Sequence, residues 1–113
     1  MNIIKAFGTT NTNYYSNGLK RKYIVLHYTA GTRSTKGSAR NVASMFKSGS
    51  VGGSADFIVD DSEIVQYNSD ISHRACWAVG GKKYTSMTTS EGGKYYNICT
   101  NSNSISIEMC SNK

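Results

Sequence analysis

Residues 104–110 read Ser-Ile-Ser-Ile-Glu-Met-Cys, a strict two-residue alternation that suits a strand and not a helix. It puts Ile105, Ile107 and Met109 on one face and Ser104, Ser106, Glu108 and Cys110 on the other. A strand of this kind needs an apolar layer against it, and the rest of the chain offers little to build one. One amphipathic helix is legible. Ala39, Val42, Ala43 and Phe46 recur at i, i+3, i+4 and i+7 between Thr35 and Lys47, which predicts a helix over about 36–47 with Ser34 or Thr35 as its cap and Gly49 beyond. One helix covers one face of a sheet. The other face is expected to be covered by the long connection before residue 104 or by helices that would follow residue 113.

The remaining strands are short. Tyr23-Ile24-Val25-Leu26-His27-Tyr28 is β-branched and aromatic and runs into Thr29-Ala30-Gly31, which predicts a buried strand with His27 at its C-terminal end. Residues 55–60 and 63–67 are β-type runs separated by Asp61-Ser62, a hairpin signal. The opening residues are polar, and residues 68–103 keep no sustained period, so they are expected to form a long irregular connection of functional importance. Proline is absent, so turns must rest on Gly and Asn.

Composition narrows the class of protein. At 113 residues the chain is one domain, and with 38% hydrophobic and 18% charged residues it is too apolar and too weakly charged for a disordered tail. No apolar run approaches the ~18 residues of a membrane span. Residues 1–7 lack the apolar stretch of a secretory signal, so the expectation is cytoplasmic synthesis and, for any work outside, another exit. The 13 Lys and Arg outnumber 7 Asp and Glu, a net +6 spread along the chain apart from Lys20-Arg21-Lys22. That favours long-range attraction to a polyanion, an anionic cell wall as readily as nucleic acid, and no nucleic-acid-binding pattern accompanies the charge. Three cysteines, Cys76, Cys99 and Cys110, form no CxxC pair and are expected to stay reduced.

Few residues can carry chemistry. His27 at a strand end is either a partly buried, hydrogen-bonded histidine or a ligand. Glu108, set among Ile107 and Met109, either points to water on the polar face of an edge strand or is paired, metal-bound or catalytic, since an isolated buried carboxylate is costly. Trp77 follows His73 and Arg74 in one loop and reads either as a core anchor or as a contact residue. His27 and His73 are the only histidines and lie far apart, so no two-histidine metal helix exists.

The ordered set His27-Tyr28-Thr29-Ala30-Gly31, then Ser54-Ala55-Asp56-Phe57-Ile58-Val59-Asp60-Asp61 with Glu63-Ile64-Val65-Gln66, then Trp77-Ala78-Val79-Gly80, then Asn103-Ser104-Ile105-Ser106-Ile107-Glu108 resembles the zinc-dependent N-acetylmuramoyl-L-alanine amidases of type 2. That family includes phage endolysins, prophage amidases and peptidoglycan recognition proteins, and the resemblance runs from about residue 20 to the end. It implies an α/β fold with a mixed central sheet flanked by helices, residues 1–113 being the N-terminal part of one catalytic domain.

The resemblance also implies Zn2+ as cofactor, bacterial peptidoglycan as partner and hydrolysis of the amide between N-acetylmuramic acid and L-alanine. His27 matches the first zinc ligand, and Glu108 matches a glutamate that takes a proton from the attacking water and returns it to the leaving amine. The other ligands are expected beyond residue 113, which implies a fragment inactive by itself, His73 with Cys110 being a weaker substitute pair. Thr29, Asp56 and Trp77 match positions in the substrate groove, although Asp56 stands where many relatives carry histidine or asparagine and Ala78 where many carry histidine. The implied setting is an endolysin released to the wall through a holin. A non-catalytic peptidoglycan-binding module of the same fold is the alternative.

Overall fold

The computed structural model describes residues 2–8, 13–29, 32–79 and 98–111. Ala30, Gly31, Gly80 and the middle of the long connection lie outside the described residues.

Among the described residues, seven strands and one helix run in the order β1 (Ile3–Lys5), β2 (Asn13–Tyr15), β3 (Tyr23–Thr29), α1 (Ser38–Ser48), β4 (Phe57–Val59), β5 (Ile64–Gln66), β6 (Arg74–Cys76) and β7 (Ser104–Cys110). The main sheet has the order β1-β5-β4-β7-β3 and is mixed: β4 pairs antiparallel with β5, while β7 lies parallel to both β4 and β3. The expected hairpin is therefore present, and the expected helix begins two residues later than its apolar period implied. Three strands escaped the sequence reading. β1 adds parallel to β5, and β2 pairs with β6 in a separate two-stranded sheet, so the polar opening and the connection from residue 68 both contain ordered structure. Each is three residues long, too short for a periodic signal.

The helix buries Ala39, Val42, Ala43 and Phe46 against β4, β5 and β7, where Ile58, Val65, Tyr67 and Cys110 complete the core. Phe46 meets Tyr67 edge to face, with ring centroids 5.6 Å apart. Gly49 ends the helix in a left-handed conformation (φ 77°), its N–H bonded to the Phe46 carbonyl, as a C-terminal glycine does best.

Neither Ser34 nor Thr35 caps the start. Gly37 occupies the cap position, and the acceptor comes from the β4–β5 turn: Asp60 Oδ2 receives the N–H groups of Gly37 and Ala39, both at 3.0 Å. Its Oδ1 receives those of Ser62 and Glu63, at 2.9 and 2.8 Å, so one carboxylate closes the hairpin and caps the helix. Burial pushes the Asp60 pKa up, but the four backbone donors outweigh it and hold it below the usual value. Asp60→Ala is expected to cost about 1–2 kcal/mol, the scale of a lost cap. With its folded pKa depressed, Asp60 stabilises above its unfolded pKa of 3.8 and loses that contribution as the pH falls through the lower folded value. Urea melts of both proteins should converge in strong acid, and a constant gap would assign the loss to packing.

The two faces of β7 take roles opposite to those its composition suggests. Ser104, Ser106 and Cys110 are the buried set, on the side of α1, and Ile105, Ile107 and Met109 are half-buried on the other side. Level with these lie Ile24, Leu26 and Tyr28 of β3, exposed at 70, 61 and 64%. Among the described residues this apolar face carries no covering layer.

Candidate active site

Because β3 and β7 run parallel and in register, His27 stands beside Glu108, with Cα atoms about 4.8 Å apart as in any sheet. Glu108 falls between the buried Ser106 and Cys110 and so faces the helix side. β7 is an interior strand flanked by β4 and β3, which removes the edge-strand reading of Glu108. The helix packs over β4, β5 and β7, and β3 is the sheet edge beyond them, so the pair sits where the helical layer ends. Both side chains are half-buried.

His27 Nε2 is buried without a hydrogen-bond partner, the one such side-chain atom among the described residues. Leaving a buried ring nitrogen unpaired costs about 1–3 kcal/mol. Burial lowers the His27 pKa and so keeps the imidazole neutral, the form a metal ligand requires. Burial also raises the Glu108 pKa, in the direction that suits a group trading protons near neutrality. Neighbouring Cys110 stays a thiol: burial, then the charge of Asp60, push its pKa up.

The other expected residues divide. Thr29, the register neighbour of Cys110 on β7, spends its hydroxyl on Thr32 Oγ1 and on the Met109 carbonyl at 3.5 Å, closing the turn after β3. Asp56 is 1% exposed. Its Oδ2 accepts the Ser106 N–H at 2.8 Å and hydroxyl at 3.2 Å, its Oδ1 accepts Asn68 Nδ2 at 2.7 Å, and Arg21 lies 3.9 Å away. Its carboxylate therefore locks β4 to β7 rather than facing a groove. Trp77 is 43% exposed, on the surface and not in the core. His73 is bonded to Asp70 at 3.1 Å and stacked on Tyr15, away from His27 in purpose. Among the described residues no group of three His, Cys, Asp or Glu side chains could hold a metal. His27 alone has the character of a ligand.

Arg21 went unnoticed in the sequence because it lies within a basic trio. Its guanidinium is buried and donates to the carbonyls of Ile71, Asn101, Ser104 and Arg74, tying the segments around β6 and β7 to the start of β3. Nothing in Lys20-Arg21-Lys22 distinguishes the middle side chain from its solvated neighbours.

A mixed sheet with a helix on one side carries, where the helical layer ends, a half-buried imidazole in register with a carboxyl of raised pKa, which defines an α/β domain with a candidate acid/base site. The sequence model of the N-acetylmuramoyl-L-alanine amidase family matches residues 17–113, and the chain belongs to that family. Among solved structures it is similar to a mutant endolysin from Bacillus subtilis, at 29% identity and TM-score 0.67 over 98% of this chain and 62% of that one. It is similar also to the catalytic domain of XlyA, at 27% identity and TM-score 0.69 over 99% of this chain and 63% of that one. The Staphylococcus aureus hydrolase AmiA, solved in complex with its ligand, shares the fold at 21% identity and TM-score 0.64, over 100% of this chain and 45% of that one. The chain thus spans less than two thirds of the length of these structures. No curated protein matches it. No described helix is long and apolar enough to cross a membrane.

Proposed function

We propose that the protein is a peptidoglycan hydrolase of the endolysin kind, cleaving the amide between N-acetylmuramic acid and the L-alanine of the stem peptide. The observation that carries this reading is the buried, partnerless His27 Nε2 in register with Glu108. The orphaned nitrogen fits a zinc ligand, and among the described residues no group of three His, Cys, Asp or Glu side chains completes a metal site. When bound, zinc supplies Lewis acidity toward the scissile carbonyl and acidifies the attacking water. Glu108 takes the proton that the water gives up and returns it to the departing amine of L-alanine, a role its raised pKa suits. His27, favoured in the neutral form by burial, can present a ring lone pair to the metal. The net positive charge draws the protein to an anionic wall.

The test is a chimera in which the remaining part of the XlyA catalytic domain follows Lys113. Incubated with zinc and purified peptidoglycan, it should release new L-alanine amino termini. Release of reducing sugars instead would overturn the assignment of the bond, and tight binding to sacculi without any cleavage would favour the binding module.

The 113-residue chain by itself is expected to hold zinc weakly and to release no L-alanine. Its only imidazoles are His27 and His73, and the second is committed to Asp70 and Tyr15. One ligand cannot fix a tetrahedral site. A zinc titration showing one tight site in this chain, together with cleavage, would reverse the assignment of the missing ligands.

A further inference from the structure

Beyond the ladder pair of Thr29 with Cys110, the chain leaving β7 meets Thr32 from the turn after β3. The Thr32 N–H donates to the Ser111 carbonyl at 2.9 Å, and Thr32 Oγ1 accepts the Ser111 N–H at 3.3 Å. One threonine thus takes both main-chain groups of Ser111, a side-chain oxygen standing in for a strand carbonyl. The hydroxyl is itself held. Its proton lies within reach of the Thr29 and Ser111 carbonyls, at 3.0 and 3.2 Å, and its neighbour Thr29 Oγ1 reaches the Met109 carbonyl at 3.5 Å. His27 and Glu108 stand two pairs before the last of this ladder, close to the strand ends, where opening begins. Thr32 and Ser111 are half-buried and neither belongs to the apolar core, so packing does not account for the clamp.

We propose that Thr32 is a positioning residue that fixes the path on which the chain leaves β7 relative to His27 and Glu108. The inference rests on the hydrolase reading above, in which His27 needs further donors to complete a zinc site, and it concerns how those donors are brought to it. In the XlyA-completed chimera they are supplied by the segment that follows Lys113. Ser111 lies three residues past Glu108, so a swing of the chain at Ser111 displaces whatever follows, and by more with each residue. A metal site is intolerant of such a swing, because ligand distances hold to about 0.2 Å. The backbone N–H and side-chain oxygen of Thr32 grip Ser111 at two points and so set a direction, which a single bond cannot do.

Thr32→Val keeps the shape of the side chain and removes its oxygen. In the chimera it should weaken zinc about tenfold, the low end of what residues supporting metal ligands carry. Chelator competition well below the melting transition, where every chain is folded, reads this directly. Thr32→Ser keeps the oxygen and should restore the parent affinity. In the 113-residue chain, Thr32→Val should speed amide exchange at Cys110 and Ser111 and leave it unchanged from Ser104 to Ser106, because the opening is local. A clamp that served stability alone would lower the melting temperature and leave the zinc affinity of the folded chimera where it was. Parent-like zinc affinity in Thr32→Val, failure of Thr32→Ser to restore it, or faster exchange along the whole of β7 overturns the proposal. A parent chimera that releases L-alanine, with a Thr32→Val variant equal to it in zinc affinity, removes the positioning role while the hydrolase reading stands. A parent chimera that neither holds zinc nor cleaves takes both away.

Discussion

His27→Ala in the XlyA-completed chimera is expected to abolish zinc binding and L-alanine release together. The imidazole is the one group among the described residues with an unpaired buried nitrogen, and a three-ligand site that loses a ligand becomes open and weak. Elemental analysis after dialysis reads the metal directly, and one zinc per chain retained in the variant would remove His27 from the coordination sphere. The same substitution has an acid signature that needs no metal. Burial sets the folded pKa of His27 below its ordinary 6.5, so the unfolded chain takes up a proton first as the pH falls. The parent therefore loses stability below that value as the pH approaches the folded pKa, whereas the alanine variant, with nothing to protonate, is spared that loss. Zinc-free melts across the acid range should show the gap between the two proteins shifting in favour of the variant.

How much of this was legible in the sequence follows from the size of each signal. α1 and the hairpin were readable because four apolar residues at helical spacing, and two β-type runs around Asp61-Ser62, each repeat over several residues. The roles of His27 and Glu108 came from the resemblance to a family, and their pairing was not legible, because parallel neighbours 81 residues apart leave no local trace. β1, β2 and β6 were invisible at three residues each. The apolar face of β7 was legible as the one short of cover, since a single helix covers a single face, and Ile105, Ile107 and Met109 do remain half-buried; Ser104 and Ser106 are small and bonded, so they pack on the helix side at little cost. The hydrogen bonds that let this polar face turn inward leave no mark in the composition. Asp56 was misplaced likewise, since a carboxylate with two oxygens occupied by Ser106 and Asn68 looks the same in a sequence as one awaiting a ligand.

Glu108→Gln in the same chimera is expected to keep zinc and fold while lowering turnover ~10²–10⁴-fold, the contribution of a positioned general acid/base. Glutamine is nearly isosteric but carries no titrating proton, so the loss should fall on the rate and leave affinity for the wall unchanged. A stability reading distinguishes this from a packing defect. Burial raises the folded pKa of Glu108 above its ordinary 4.5, so the folded state binds a proton more tightly than the unfolded one. The favourable contribution is complete below the unfolded value and is lost as the pH rises through the folded pKa, because an ionised carboxylate must then be held beside Ile58 in a half-buried site. The glutamine variant escapes that cost. It should melt higher than the parent at neutral pH, and the gain should vanish below the ordinary carboxylate range. A group that destabilises its own fold at the working pH, and whose removal stabilises the protein while stopping the reaction, is retained for chemistry and not for packing. If L-alanine release were unchanged and no pH-dependent gain appeared, Glu108 would be a structural residue, and the proton would have to be carried by a group outside the described residues.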